Sequence, residues 1–296
     1  MTLVTTFTVG KLRCHALEAG RQRLDGGAMF GVVPKPLWER RIASDERNRI
    51  PLALRCLLVE HIAGAVLIDT GVGNKEGAKF MDIYGVENEG HSGPTQLEDA
   101  LQQAGFRPED VVYVINTHLH FDHAGGNTWI EQGLEGGEAR LSFTNATYVV
   151  QSGELEFGRN LNERTAASYL APNFEPVAEA GRWQTVTGEV ELLPGIQLLP
   201  TPGHVPYHQS VLISDAGETA CFLGDLVPTS AHVPLPWIMG YDLEPLVTLE
   251  SKRQLLGRAV AEGWTMIFEH DPEVALGRIT QDQKSYACEP IRGVAD

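Results

Sequence analysis

Eight short apolar runs constrain this chain more than any other feature. They are RCLLVEH (55–61), AVLIDT (65–70), VVYVINT (111–117), TYVVQ (147–151), GIQLLPT (195–201), QSVLIS (209–214), TACFLGD (219–225) and TMIFEHD (265–271). Each is often β-branched and bounded by Gly, Pro, Asp or Ser, the pattern of buried strands. Between them lie helical stretches. TQLEDALQQAG (95–105) opens with a Thr95/Glu98 capping box and closes on Gly105. LEPLVTLESKRQLLGRAVAEG (243–263) places Leu249, Leu256 and Val260 on one face, with Gly263 to stop it. Strands dominate with helices interleaved, which predicts two sheets covered by helices. A single domain over residues 1–296 is expected, with an irregular loop at about 20–50 on the substrate side.

The acidic balance narrows the partners. With 39 acidic against 23 basic side chains, the net charge is −16. That argues against a nucleic-acid surface and against an anionic membrane surface, since both need clustered Lys and Arg. A neutral or hydrophobic small molecule is easier to accommodate. Cys14, Cys56, Cys221 and Cys288 are scattered and read as thiols rather than a disulfide framework. The opening MTLVTTFTVGKLRC has no secretory pattern, and no apolar run reaches the ~18 residues of a membrane span. A cytoplasmic protein is expected.

The strands matter because several end in metal-binding residue types. His118 and His120 follow VVYVINT directly. In extended chain, positions i and i+2 point to one side, so both imidazoles can face one ion. Asp122 and His123 then turn toward a neighbouring ion, and Gly125 and Gly126 let the chain reverse behind them. Further donors stand at other strand ends: His204 in TPGHVPYH, Asp225 in FLGD and His270 in FEHD. A carboxylate suits the position between two cations, because each oxygen can serve one. Imidazole and carboxylate together fit zinc first, with iron, manganese or cobalt suiting the same donors. His208 and His232 read as structural histidines near the site, and His15, His61 and His91 as structural or solvated. Asp69 in LIDTG ends a buried strand, where it can orient an imidazole or the ligand loop.

With LIDTG (67–71), HLHFDHAGG (118–126), TPGHVPYHQS (201–210), GD (224–225) and EHD (269–271), the chain resembles the metallo-β-lactamase-fold hydrolases. The resemblance implies an α+β fold, an αβ/βα four-layer sandwich of two mixed sheets flanked by helices. It also implies two divalent metal ions. His118, His120 and His204 would bind the first; Asp122, His123 and His270 the second; Asp225 would bridge. Asp225 stands where the β-lactamases commonly carry cysteine, which turns the expectation away from antibiotic hydrolysis. The flavodiiron branch carries HxExD where His120 stands here. Only 26 residues follow His270, too few for the helical domain of the glutathione thioesterases. HFDHAGGN and TPGHVPYHQS are similar to the acyl-homoserine lactonases and the related esterases and organophosphate hydrolases. Those lactonases often carry a tyrosine three residues after the bridging aspartate. Here Pro228 stands there, and Tyr207, His232 and Tyr241 are the candidates to replace it.

The expected chemistry is metal-activated hydroxide attack on hydrophobic lactones or esters. Two ions lower the pKa of a shared water from ~16 toward ~7. Asp122 could carry the proton to the leaving group, with Asp225 as the second catalytic carboxylate. Met29, Phe30, Trp38, Phe121, Trp237, Met239 and Tyr241 are the expected substrate walls. A small ester or lactone is the expected partner, with a homodimer as the macromolecular one. Phosphotriester hydrolysis is the alternative in the same class. An iron-dependent persulfide dioxygenase, marked by one iron per chain, and a non-catalytic binding module are the alternatives in other classes.

Overall fold

The structure is a computed structural model that describes residues 2–131, 137–283 and 285–292. The strands are β1 (Val4–Val9), β2 (Leu12–Asp25), β3 (Arg49–His61), β4 (Gly64–Ile68), β5 (Val111–Ile115), the two-residue β6 (Thr128–Trp129) and β7 (Arg140–Leu141), β8 (Thr147–Gln151) and β9 (Trp183–Val186). They continue as β10 (Val190–Leu193), β11 (Ile196–Pro200), β12 (Gln209–Asp215), β13 (Glu218–Phe222), β14 (Thr265–Ile267), β15 (Leu276–Gln281) and β16 (Tyr286–Pro290). One seven-stranded sheet has the order β1-β2-β3-β4-β5-β8-β9, and a second runs in sequence order from β10 to β16. Both are mixed: β4, β5, β8 and β9 are parallel neighbours in the first, and β13 and β14 in the second. All eight apolar runs named from the sequence fall on strands of these sheets.

The chain divides into two compact units. The first comprises residues 1–8, 12–20 and 54–187; the second comprises 9–11, 21–53 and 188–296. In the first, the helix Gln96–Gln103 carries the expected capping box, Thr95 with Glu98, and buries Leu97, Ala100 and Leu101. These meet Leu17, Leu58, Leu67, Val114 and Tyr148 of the sheet. Full burial stabilises each such leucine by roughly 1.5–3 kcal/mol relative to exposure.

In the second unit the helix Pro245–Glu262 stops at Gly263, which adopts the left-handed conformation at φ 69°. Its buried face includes Leu256 as expected but is centred further round the helix. Thr248, Lys252, Leu255, Leu256 and Ala259 are buried, whereas Leu249 and Val260 are only half-buried. The leucines and Ala259 pack on Leu212, Cys221, Met266 and Ile279. The segment expected to be irregular at about 20–50 holds the end of β2 and two short helices, Gly26–Phe30 and Lys35–Trp38. Among the described residues, no helix is long and apolar enough to cross a membrane.

Candidate metal centre

Sheet register decides which side chains meet. In the first unit β4 and β5 run parallel with Ile68 opposite Ile115. Asp69 therefore leaves the sheet beside Asn116 and Thr117. Its carboxylate accepts from the Thr117 N–H (2.8 Å), the Thr117 hydroxyl (2.6 Å) and His123 Nδ1 (3.1 Å). Asp69 is fully buried and sits at φ 54°, a left-handed conformation that Asp tolerates better than most residues. With its hydroxyl proton on Asp69, the Thr117 oxygen is left to accept from His118 Nδ1 at 3.1 Å. These partners assign a proton to Nδ1 of both His118 and His123, leaving each Nε2 lone pair for a cation.

The ligand loop is held on its other sides as well. The Glu154 carboxylate accepts from the Leu119 N–H at 3.0 Å and from the Tyr169 hydroxyl at 2.8 Å. The Tyr169 ring meets the His120 imidazole edge-on at 4.7 Å. Thr70 donates from both its N–H and its hydroxyl to the His123 carbonyl. Gly125 and Gly126 are required by proximity and not by a left-handed turn. A Cβ on Gly125 would stand 2.0 Å from the Val72 carbonyl oxygen, and one on Gly126 would stand 2.2 Å from that of Thr70. Within this frame His118 and His120 bring ligand nitrogens within 4.8 Å of one another, and donor atoms of Asp122 and His123 do the same. Burial, followed by the charges of Asp122 and Glu76, raises the pKa of the Tyr84 hydroxyl nearby.

In the second unit the same principle acts over a longer stretch of chain. β13 and β14 are parallel with Phe222 opposite Ile267. Asp225 and His270 each lie three residues further on, so the register delivers them side by side. His270 Nε2 is 3.1 Å from Asp225 Oδ1, and His204 Nε2 is 3.0 Å from Asp225 Oδ2. One carboxylate thus presents a different oxygen to each of two imidazoles. Both rings are fixed from behind: His204 Nδ1 donates to Asp242 at 2.9 Å and His270 Nδ1 donates to the Ala53 carbonyl at 2.8 Å. His208 Nε2 accepts from the Asp225 N–H at 3.1 Å, and its Nδ1 lies 2.8 Å from the Thr201 hydroxyl. His208 therefore positions Asp225 through the backbone.

This donor set fits divalent ions. Donors ~2.0–2.2 Å from a shared ion stand about 3 Å apart, which is the spacing from Asp225 to each histidine. In the first unit His118 and His123, and in the second His204 and His270, all place Nδ1 on a protein partner, as metal-ligating histidines do.

The residues expected to wall the substrate are placed differently from one another. Met29, Phe30, Trp38 and Met239 are buried in one cluster of the second unit, with Trp237 packed against it. Phe30 stacks on Trp38 and on His232, and meets Trp237 edge-on. Tyr241 is 39% exposed. Phe121, in the first unit, packs with Leu54, Val72 and Val86 and against the rings of Phe80 and Tyr84. His232, a candidate to replace the lactonase tyrosine, is buried, with Nε2 on the Met29 carbonyl and Nδ1 on the Thr229 hydroxyl. Burial pulls its pKa down to about 4; the Met29 hydrogen bond opposes this and the Lys252 ammonium reinforces it. His232 is a neutral structural histidine at physiological pH.

Two supporting carboxylates carry no motif in the sequence. Asp242, 38 positions after His204, stands in the loop YDLEP without any motif around it. Glu154 lies three residues after β8, a parallel neighbour of the strand that ends in the histidines. Its position after a strand was a usable signal.

Residues 51–270 match the metallo-beta-lactamase superfamily. An N-acyl homoserine lactonase of Bacillus cereus is 30% identical over 287 residues, an alignment covering 92% of this chain and 97% of that protein. A probable metal-dependent hydrolase from Staphylococcus aureus superposes with a TM-score of 0.86 at 30% identity, over 97% of this chain and 99% of that one. AidC, a dizinc quorum-quenching lactonase in complex with a product, superposes with a TM-score of 0.79 over 98% of this chain and 99% of its own. At 19% identity that last likeness shows the fold alone. The chain belongs to the metallo-β-lactamase superfamily, with its α+β fold of two large mixed sheets, and is a metal-dependent hydrolase homologous to N-acyl homoserine lactonases.

Proposed function

We propose that this chain opens hydrophobic lactones, N-acyl homoserine lactones foremost, and cleaves related esters, using two divalent ions. His118, His120 and His204 would hold one ion and Asp122, His123 and His270 the other, with Asp225 between them. The single observation that carries this reading is Asp225, whose two oxygens face His204 and His270 separately at 3.0 and 3.1 Å. Zinc is the proposed metal, on the all-nitrogen and oxygen donor set.

When bound, such ions acidify water to near neutral pKa and polarise the lactone carbonyl. The protein's part is to orient and to move protons. Asp69, Thr117, Asp242 and the Ala53 carbonyl fix the imidazoles, so that little reorganisation accompanies the reaction. Asp122, buried beside His123, can pass a proton to the departing alkoxide oxygen. Cytoplasmic location is the proposed setting, on four cysteines that carry thiols.

The test is a hydrolysis panel on metal-replete protein, read by proton release: acyl-homoserine lactones of short and long chain, aryl esters and phosphotriesters. Lactones should be the best substrates. Preference for phosphotriesters would reassign the substrate, and no hydrolysis anywhere in the panel would overturn the reading.

A further inference from the structure

The helix Pro245–Glu262 buries a lysine on its apolar face. Lys252 is 1% exposed. Its three ammonium N–H groups are shared among four backbone carbonyls: His232 at 2.7 Å, Trp237 at 2.8 Å, Pro234 at 3.0 Å and Leu235 at 3.3 Å. These carbonyls belong to HVPLPW, where Pro234 and Pro236 supply no N–H groups. Four carbonyl oxygens, one buried and three part-buried, converging on one point are costly unless a donor meets them. An ammonium group does so, much as ions take the place of water among converging carbonyls.

The position of this cage gives it a consequence. The loop it closes begins after Asp225, which faces His204 and His270, and ends at Asp242, which holds His204 Nδ1. The loop's span therefore sets the distance between the carboxylate on one side of His204 and the carboxylate on the other. Its first part is also tied down, since Asp271 accepts from the Ser230 N–H and hydroxyl. Its centre has the ammonium. Burial pulls the pKa of Lys252 down to about 7 against the opposing charge of Asp242, while the converging carbonyl dipoles favour the charged form.

We propose that Lys252 is a positioning residue for the metal centre: an internal cation that sets the Asp225-to-Asp242 loop and thereby the His204 side of the ligand set. The inference rests on the ligand set proposed above. Its readouts are chosen to stand even if the substrate reading fails.

The experiment compares wild type with Lys252→Ala, Lys252→Met and Lys252→Arg. It measures metal affinity by chelator competition and the ligand-field spectrum of the cobalt-loaded protein. Lys252→Ala should weaken metal binding by about 10- to 100-fold and change the cobalt spectrum. Added propylammonium should restore both, by refilling the carbonyl cage. Lys252→Met, of similar length but uncharged, should be impaired and should not respond to the amine. Lys252→Arg, which keeps charge and donors, should retain more affinity than Lys252→Met. Should Lys252→Ala fail to fold, the Met and Arg pair decides. Wild-type affinity and spectrum in Lys252→Met, or a loss in Lys252→Ala that no ammonium ion restores, would overturn the assignment. A wild-type protein that binds metal but hydrolyses nothing would sink the substrate reading and leave this one standing.

Discussion

The two units build their candidate ligand side chains by opposite routes. In the first, four donors lie within six positions, His118 to His123, and a short turn shapes them. In the second, His204, Asp225 and His270 are 21 and 45 positions apart (225 − 204; 270 − 225), and sheet register brings them together. The local cluster depends on the backbone packed behind it. The distributed cluster depends on strand pairing and on one loop from Asp225 to Asp242. Loss of a supporting group should therefore damage the first through folding and the second through metal affinity.

Asp225→Ala offers the largest test, because it removes a carboxylate that faces two imidazoles. We expect hydrolysis to fall by well over the ~100-fold that losing an outer partner brings, with an unchanged circular dichroism spectrum. Undiminished turnover would overturn the place proposed for Asp225 between two ions. Next come the matched pair Asp69→Asn and Asp242→Asn. Each should weaken metal binding by about 10- to 100-fold. Only Asp69→Asn should also lower the urea midpoint of the metal-free protein, since Asp69 supports Thr117 as well as His123. Equal urea midpoints would break the contrast between the units.

Gly125→Ala addresses the packed backbone directly. Overpacking against the Val72 carbonyl should destabilise the chain by about 1–3 kcal/mol, read by chemical denaturation without metal. The equivalent change at Gly181, where a Cβ would meet nothing within 4 Å but φ is +64°, separates crowding from backbone strain.

The smallest effect concerns His232. Its folded pKa, about 4, lies below the usual value of 6.5, so the unfolded chain binds more protons between those limits. The stability it confers is complete above pH 6.5 and is lost as pH falls toward 4, about 1.4 kcal/mol being gone at pH 5.5. The difference between wild type and His232→Gln in unfolding free energy, measured by urea denaturation, should shrink by about that much from pH 7.5 to 5.5. A constant difference would show that His232 is not held neutral.

The sequence was legible where local chemistry dominated. The apolar runs and the Thr95 cap follow short-range rules and reappear in the structure, and HLHFDH stands out by its spacing alone. The donors His204, Asp225 and His270 could be picked out because each follows a strand. Other features needed distance information. β2 and β15, read from LRCHALEAGRQRLD and LGRITQ, mix polar and apolar residues and carry no run to mark them. Asp242 gains its role from a contact made 38 residues away. Lys252 sits at helical spacing with Thr248 and Leu255, yet a lysine there reads as solvated until the carbonyls opposite it are seen.

The close approach at Gly125 and Gly126 bears on how such an enzyme can diversify. With a carbonyl oxygen about one bond length and a half from any added Cβ, this stretch has no spare volume in which new side chains could be tried. Mutational drift toward other substrates is shut out of the histidine loop and must begin elsewhere. Half-buried Trp237 and exposed Tyr241, in the second unit, still have room to change.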